Sequence, residues 1–134
     1  MNIDTEVAKI IERDYQLHHQ GRAYGVDTVL KVFNNLSKIN YDAKRYGRVV
    51  IAYTPLTDTE VEFHCHNAGN TNDLILAVNQ FNKDFADDYA WSVTYYDNPK
   101  INELLKHSLC PCEFAQIDQG EDRTYEAKFR LRST

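Results

Sequence analysis

The apolar positions of the first forty residues follow helical spacing. One stripe predicts an amphipathic helix that begins at Asp4 or Thr5 and runs to about His18. The apolar residues of that stripe are Ile3, Val7, Ile10 and Ile11. A second stripe predicts another helix that begins after Gly25, and its apolar residues are Val26, Val29, Leu30, Phe33 and Leu36. Two helices are therefore predicted ahead of the first strand.

Residues 60–85 change from the period of a strand to the period of a helix. Val61, Phe63 and Cys65 fall on one face of residues 60–66, which predicts a half-buried strand. Its polar face carries Glu60, Glu62, His64 and His66. The helical stripe that follows consists of Leu74, Val78, Phe81 and Phe85. The stretch therefore predicts a strand, a short loop and a long helix in direct succession.

The loop between that strand and helix has the features of an anion site. Gly69 lies at its centre, Thr71 is predicted to cap the helix, and Asp73 lies in the first turn. Backbone N–H groups at a helix N-terminus have no carbonyl partner and attract negative charge. The alternative is a plain connection in which Gly69 serves a positive φ angle.

The remaining pattern predicts a sheet around this unit. Residues 48–53 form a β-branched strand, residues 40–47 read as a polar loop, and Pro55 turns the chain into a hairpin with residues 60–66. Trp91, Val93 and Tyr95 share one face of the strand at residues 90–96, which we interpret as the inner face. Because a helix joins residues 60–66 to residues 90–96, the two strands are predicted to run parallel.

The last part of the chain predicts a short helix and a hairpin. Asn98 is placed to cap the short helix, with Pro99 at its first position. The hairpin has arms at residues 114–118 and 124–131 and a turn around Gly120. The order of elements is α, α, β, β, α, β, α, β, β. It predicts one α/β (α+β) domain over residues 1–134, with a mixed sheet that is antiparallel except at the crossover.

Composition narrows the class of protein. The 134 residues carry a net charge of −5, which argues against a general nucleic-acid binder. No apolar run reaches the ~20 residues that a membrane span needs, and the first residues do not resemble a secretory signal. Three cysteines, two of them flanking Pro111, do not form a disulfide framework. We therefore expect a cytoplasmic protein, or one that acts inside a particle assembled in the cytoplasm.

The order of elements from Val49 to Leu131 resembles the GCN5-related N-acetyltransferase family, and in particular the small acetyltransferase-like proteins of tailed bacteriophages. In that family a strand leads into a loop with the pattern Gln/Arg-x-x-Gly-x-Gly/Ala and then into a helix. Residues 66–71 occupy that place here and keep the central Gly69. The family then has a strand, an Asn and a short helix, which Asn98 and residues 100–106 match.

The resemblance implies acetyl-CoA as cofactor and an amine on a small molecule or protein as acceptor. It assigns the cofactor to the loop residues His66, Asn67, Ala68, Gly69, Asn70 and Thr71, and to Asn98. A base is needed to take the proton of the amine, and Glu62 and His64 are adjacent on the polar strand face. Leu105 stands where the family has a proton-donating Tyr. Tyr95 or Tyr96 would have to take its place, and we assign the role to Tyr96.

Two other functions remain open on these residues. The altered loop and the missing Tyr favour a protein that keeps the fold without the chemistry, such as a phage accessory, virion-assembly or host-directed binding protein. The third reading is a small metal-binding domain, because His64 and His66 share a strand face and Cys110 and Cys112 offer two thiols. Cys65 points away from both histidines, so no metal site is predicted from these residues. Glu62 and His64 also fit a plain solvated sheet face.

Overall fold

The computed structural model describes residues 3–18, 24–36, 40–119 and 122–131. The helices in these ranges are α1 (Thr5–His18), α2 (Val26–Leu36), α3 (Thr71–Phe85) and α4 (Ile101–Leu105). The strands are β1 (Asp42–Tyr46), β2 (Val49–Pro55), β3 (Glu60–Asn67), β4 (Trp91–Tyr96), β5 (Cys112–Gln119) and β6 (Asp122–Arg130). In this part of the chain, no helix is both long enough and apolar enough to cross a bilayer. The predicted turn at Gly120 lies outside the described residues.

The six strands form one mixed sheet in the order β1-β2-β3-β4-β6-β5. Neighbouring strands are antiparallel except for β3 and β4, which are parallel. Helix α3 makes the crossover between these two strands, as the sequence predicted. The mixed α/β class and the parallel pair at its centre are therefore confirmed.

The main core lies between the sheet and α3. Phe63, Phe81 and Phe129 are fully buried there, together with Val49 and Ile51 of β2. The ring centroids of Phe63 and Phe81 are 5.1 Å apart, and those of Phe81 and Phe85 are 4.7 Å apart. A buried hydrogen bond of 2.6 Å from Ser92 Oγ to Asn82 Oδ1 also joins β4 to α3. Contacts with Phe63 of β3 and with Ser92 of β4 therefore hold α3 across the two parallel strands.

A second apolar cluster holds α1 and α2 on the opposite face. Ala8 and Ile11 of α1 and Val29 of α2 are buried against Ala43 and Val50 of the sheet. Helix α1 begins where predicted, since Asp4 Oδ1 accepts a hydrogen bond from the Val7 N–H at 2.9 Å. These two helices cover the β1–β3 side of this face.

The predicted loop at residues 40–47 was wrong, because β1 occupies it. β1 pairs with β2 along its whole length. Its polar side chains hide the strand pattern: Lys44 Nζ and Tyr46 Oη bind Asp84 Oδ2 of α3 at 3.0 and 2.8 Å. Only Ala43 is fully buried within β1. Lys44 and Tyr46 therefore bind α3 from this face of β1.

The interpretation of Trp91 as an inner core residue was also wrong. Val93 on the same face is buried, but the Trp91 ring lies under two cations instead of a helix. Lys128 Nζ is 4.7 Å and the Arg130 guanidinium 5.1 Å from its centroid. Cation–π contacts of this kind shield an indole without burying it completely.

Candidate active site

The two parallel strands separate after three residue pairs. Residues 60–62 of β3 pair with residues 91–93 of β4, and the pairing ends there. Both strands continue beyond this point, to Asn67 in β3 and to Tyr96 in β4. We call the space between residues 63–67 and residues 94–96 the β3–β4 gap. Unpaired backbone N–H and C=O groups facing such a gap can bind an extended amide-bearing chain.

The loop at the end of β3 satisfies much of its own hydrogen-bonding capacity. The Asn70 side chain, not that of Thr71, caps α3, since Asn70 Oδ1 accepts from the Asp73 N–H at 2.9 Å. Asp73 Oδ2 accepts in return from the Asn70 N–H at 2.8 Å, which completes a capping box. The Asp73 carboxylate therefore occupies part of the predicted anion site.

Gly69 is required by space and not by backbone conformation. Its φ angle is not positive, unlike those of Gly25 and Gly47. A Cβ atom at Gly69 would lie 2.1 Å from Asp73 Oδ2. The expectation of a positive φ angle was wrong, because the glycine instead makes room for the carboxylate of the capping box.

Two N–H groups at the start of α3 stay open. Thr71 and Asn72 occupy the first two helical positions, where no intrahelical acceptor exists. Within the described residues neither N–H has a hydrogen-bond partner, and both residues are exposed. The helix N-terminus therefore keeps two donors for an anion beside the Asp73 carboxylate.

His66 lies on the face of the sheet that α1 and α2 cover, away from α3. Its Nδ1 is 3.3 Å from Asp14 Oδ2, and its ring makes an edge contact with Phe33 at 5.5 Å. The side chain is 14% exposed. The imidazole thus joins β3 to both helices, and only its backbone borders the loop.

Glu62 and His64 form an ion pair at the start of the gap. Glu62 Oε1 is 3.2 Å from His64 Nε2, and their side chains are 18% and 39% exposed. Both lie on the sheet face opposite α3, and Glu62 is the last β3 residue paired with β4. The carboxylate is therefore adjacent to the gap, partly shielded from water, and close to a second proton carrier.

Tyr96 borders the gap from β4, on the α3 side of the sheet. Its hydroxyl bonds to Asn102 Oδ1 of α4, and its ring stacks on Tyr125 with centroids 5.8 Å apart. Burial, reinforced by the nearby Cys112 thiol and Tyr125, raises the pKa of Tyr96 to about 12. The phenol therefore keeps its proton at neutral pH. Leu105, at the position of the family Tyr, is buried in the core instead.

The prediction that Asn98 caps the short helix, with Pro99 at its first position, was wrong. Helix α4 begins at Ile101, so Pro99 lies before it. Asn98 Oδ1 accepts from the Lys100 N–H at 3.0 Å, which stabilises the turn that leads into the helix. Asn98 is exposed and lies two residues after the end of β4.

The thiols and histidines do not meet. His64 and His66 bind different carboxylates, and Cys110 and Cys112 line a cavity of about 330 Å³ beside α4 and β5. None of the residues that line this cavity belongs to β3 or β4, so it is separate from the gap. Among the described residues, no group of three His, Cys, Asp or Glu side chains could hold a metal ion.

Sequence reasoning missed Asp14 and His18 of α1. Asp14 is 6% exposed and accepts from the Asn67 N–H at 3.0 Å. His18 Nε2 lies 3.2 Å from the Asn67 carbonyl oxygen. The position of Asp14 in the sequence could have indicated this role. Asp14 follows Val7 and Ile11 on the apolar stripe of α1, and an acid on such a stripe is buried and needs a hydrogen-bond partner.

Comparisons with known proteins identify the fold of the chain. No protein-family model and no curated protein sequence matches the chain. Among solved structures it is similar to Campylobacter jejuni N-acetyltransferase PseH in complex with acetyl coenzyme A, with a TM-score of 0.58 and 13% identity. The match covers 96% of this chain and 92% of that one. The chain has the N-acetyltransferase fold.

A second structure of the same Campylobacter enzyme gives a similar result. It matches with a TM-score of 0.59 and 14% identity, over 96% of this chain and 91% of that chain. At this identity the likeness concerns the N-acetyltransferase fold alone. Neither structure is a phage protein, so the resemblance to tailed-phage proteins gains no support from them.

Proposed function

We propose that this protein is an acetyl-CoA-dependent N-acetyltransferase that acts on an amine. The observation that carries the proposal is the β3–β4 gap: two parallel strands that pair over three residues and then separate beside a helix N-terminus. A solved structure with the same N-acetyltransferase fold has acetyl coenzyme A bound, which supports this ligand class. Function depends on the site more than on the fold, so the individual groups decide the proposal.

The residues around the gap fit acetyl-CoA in part. Strand residues 63–67 and 94–96 would take the pantetheine arm, because their backbone groups facing each other are not paired. The Thr71 and Asn72 N–H groups would face the pyrophosphate, beside Asn67, Ala68, Gly69 and Asn70, and Asn98 would border the arm from β4. Asp73 opposes an anion here, so we expect the pantetheine arm to supply most of the affinity. Bound acetyl-CoA supplies an activated acetyl group.

The acceptor amine would approach from the sheet face opposite α3. Glu62 and His64 lie there and would take the proton of the amine, directly or through water. Glu126 lies on the same face. Burial first, and then the charge of Glu126 and its hydrogen bond from Tyr95, raise the pKa of the Tyr95 phenol. These carboxylates favour a positively charged substrate. On the other side of the sheet, Tyr96 holds a proton at neutral pH and would supply it to the departing thiolate.

The first test is ligand binding measured as thermal stability. A ligand that binds only the folded state at 100 times its Kd stabilises it by about 2.7 kcal/mol, which raises Tm by several degrees for a domain of this size. We expect acetyl-CoA to produce such a rise. Adenosine diphosphate, which carries the pyrophosphate but not the pantetheine arm, should produce much less. The proposal is overturned if acetyl-CoA leaves Tm unchanged.

A measurement of turnover distinguishes an active enzyme from a protein that keeps the fold without the chemistry. A panel of primary amines, including diamines, amino sugars and lysine peptides, would be incubated with acetyl-CoA while free CoA thiol is measured. We expect at least one amine to accelerate thiol release. Acetyl-CoA binding without turnover of any amine would instead support a protein that keeps the fold without the chemistry. Cytoplasmic action, where acetyl-CoA is available, belongs to the same proposal.

A further inference from the structure

Two side chains of α1 bind both backbone polar groups of one residue, Asn67. Asp14 Oδ1 accepts from the Asn67 N–H at 3.0 Å. The Asn67 carbonyl oxygen can only accept, so His18 Nε2 donates to it, at 3.2 Å. Asp14 and His18 are four residues apart on α1 and so lie on the same side of the helix. We call this arrangement the Asn67 clamp.

The side chain of Asn67 continues the connection into the loop. Its Oδ1 accepts from the Gly69 N–H at 2.8 Å, and its Nδ2 donates to the Asn70 carbonyl oxygen at 3.1 Å. Asn70 is the residue that caps α3, and the open N–H groups of Thr71 and Asn72 follow it directly. An unbroken series of hydrogen bonds therefore runs from α1 to the start of α3.

Apolar packing already holds α1 on the sheet without this clamp. Ala8 and Ile11 are fully buried against the cluster that contains Val29 and Val50. A second anchor joins the clamp to β3, since Asp14 Oδ2 is 3.3 Å from His66 Nδ1. A carboxylate this buried forms stronger hydrogen bonds than a surface carboxylate, because water competes less for it. The polar contacts therefore define where the loop lies, beyond keeping the helix attached.

We propose that Asp14 and His18 are positioning residues for the acetyl-CoA loop. Through Asn67 they fix the direction in which the Thr71 and Asn72 N–H groups point. Neither residue contacts the reacting atoms, so their loss should weaken acetyl-CoA binding and leave the chemical step nearly unchanged. This inference rests on the proposed function for its ligand, whereas the clamp itself can be measured without one.

The first measurement is amide hydrogen exchange of the ligand-free protein. In Asp14→Ala we expect exchange at Asn67 and Gly69 to accelerate about tenfold or more, because a buried hydrogen bond of roughly 1.5–3 kcal/mol is removed. Arg13→Ala, on the exposed side of the same helix, is the matched control and should leave both amides unchanged. Unchanged exchange at Asn67 in Asp14→Ala would overturn the clamp.

The second measurement separates binding from chemistry. In Asp14→Ala and in Asn67→Ala, which breaks the next link, the KM for acetyl-CoA should rise about tenfold while kcat stays within about twofold. Asp14→Asn keeps an acceptor for the Asn67 N–H and should recover part of the lost affinity. Asn67→Ala removes only the side-chain hydrogen bonds to Gly69 and Asn70, so it tests how the clamp acts on the loop even if Asp14→Ala folds poorly.

The outcomes distinguish this inference from the proposed function. If the wild-type protein binds acetyl-CoA and Asn67→Ala binds it equally well, the positioning role is wrong and the proposed function stands. If kcat falls as much as KM rises, these residues act on the chemical step and the positioning role is again wrong. If the wild-type protein does not bind acetyl-CoA, the proposed function is wrong, and so is the role of Asp14 and His18 in acetyl-CoA binding.

Discussion

Replacement of Glu62 by glutamine is expected to lower kcat by about 10²- to 10⁴-fold, the contribution typical of a general base. Glutamine has nearly the same shape but cannot take a proton. Glu62 is the last β3 residue paired with β4, and its carboxylate lies 3.2 Å from His64 Nε2, so its replacement removes a proton acceptor at the start of the gap. The kcat of Glu62→Gln would be measured at saturating acetyl-CoA with the best amine of the panel.

Glu60→Gln is the matched control for this change. Glu60 lies two residues earlier on the same strand face, and its Oε1 binds Lys128 Nζ at 3.1 Å. Because Glu60 lies at the end of the paired segment away from the gap and is bound to Lys128, the kcat of Glu60→Gln should stay within about twofold of wild type. Equal losses in both variants would point to the charge of this face as a whole, and an active Glu62→Gln would remove Glu62 as the base.

Replacement of Phe81 by alanine should lower the free energy of unfolding by about 3–5 kcal/mol, as for large aromatic residues in other cores. Phe81 is fully buried at the centre of the α3 side of the core. Its ring contacts Phe63 and Phe85, with centroids 5.1 and 4.7 Å away. The alanine leaves a cavity that neighbouring rings fill only in part. Urea denaturation with a fixed m-value measures the difference.

Leu76→Ala on the same helix provides the comparison. Leu76 is 67% exposed, so its truncation should change the free energy of unfolding by no more than about 0.5 kcal/mol. The two variants remove apolar atoms from one helix and differ mainly in burial. Similar losses from both would mean that α3 is not packed as described.

The parts of the fold with simple alternation could be predicted from the sequence. Val61, Phe63 and Cys65 alternate cleanly, and the stripe that contains Phe81 has helical spacing, so β3, α3 and the parallel crossover were correct. β1 was missed because Lys44 and Tyr46 place polar atoms on a face that α3 contacts through Asp84. When the polar side chains of a strand bind an acid that is distant in sequence, the local pattern of apolar and polar residues does not predict the strand.

The candidate site, too, was predictable only where neighbouring positions in the sequence determine its geometry. The adjacency of Glu62 and His64 follows from the period of a strand, so local pattern was sufficient. The links of Asp14 to His66 and Asn67 join residues more than fifty positions apart, and nothing in local spacing predicts them. Thr71 was predicted to cap α3, but Asn70 does so. Both residue types favour the cap position, and only the loop geometry decides between them.

The position of acetyl-CoA in a crystal structure of its complex with this protein is the most direct test. We predict that the pantetheine arm lies between residues 63–67 of β3 and residues 94–96 of β4, with the thioester close to where the strand pairing ends at Glu62 and Val93. Acetyl-CoA bound in the cavity beside Cys110 and Cys112, or bound anywhere that leaves the β3–β4 gap empty, would contradict the proposed acetyltransferase site.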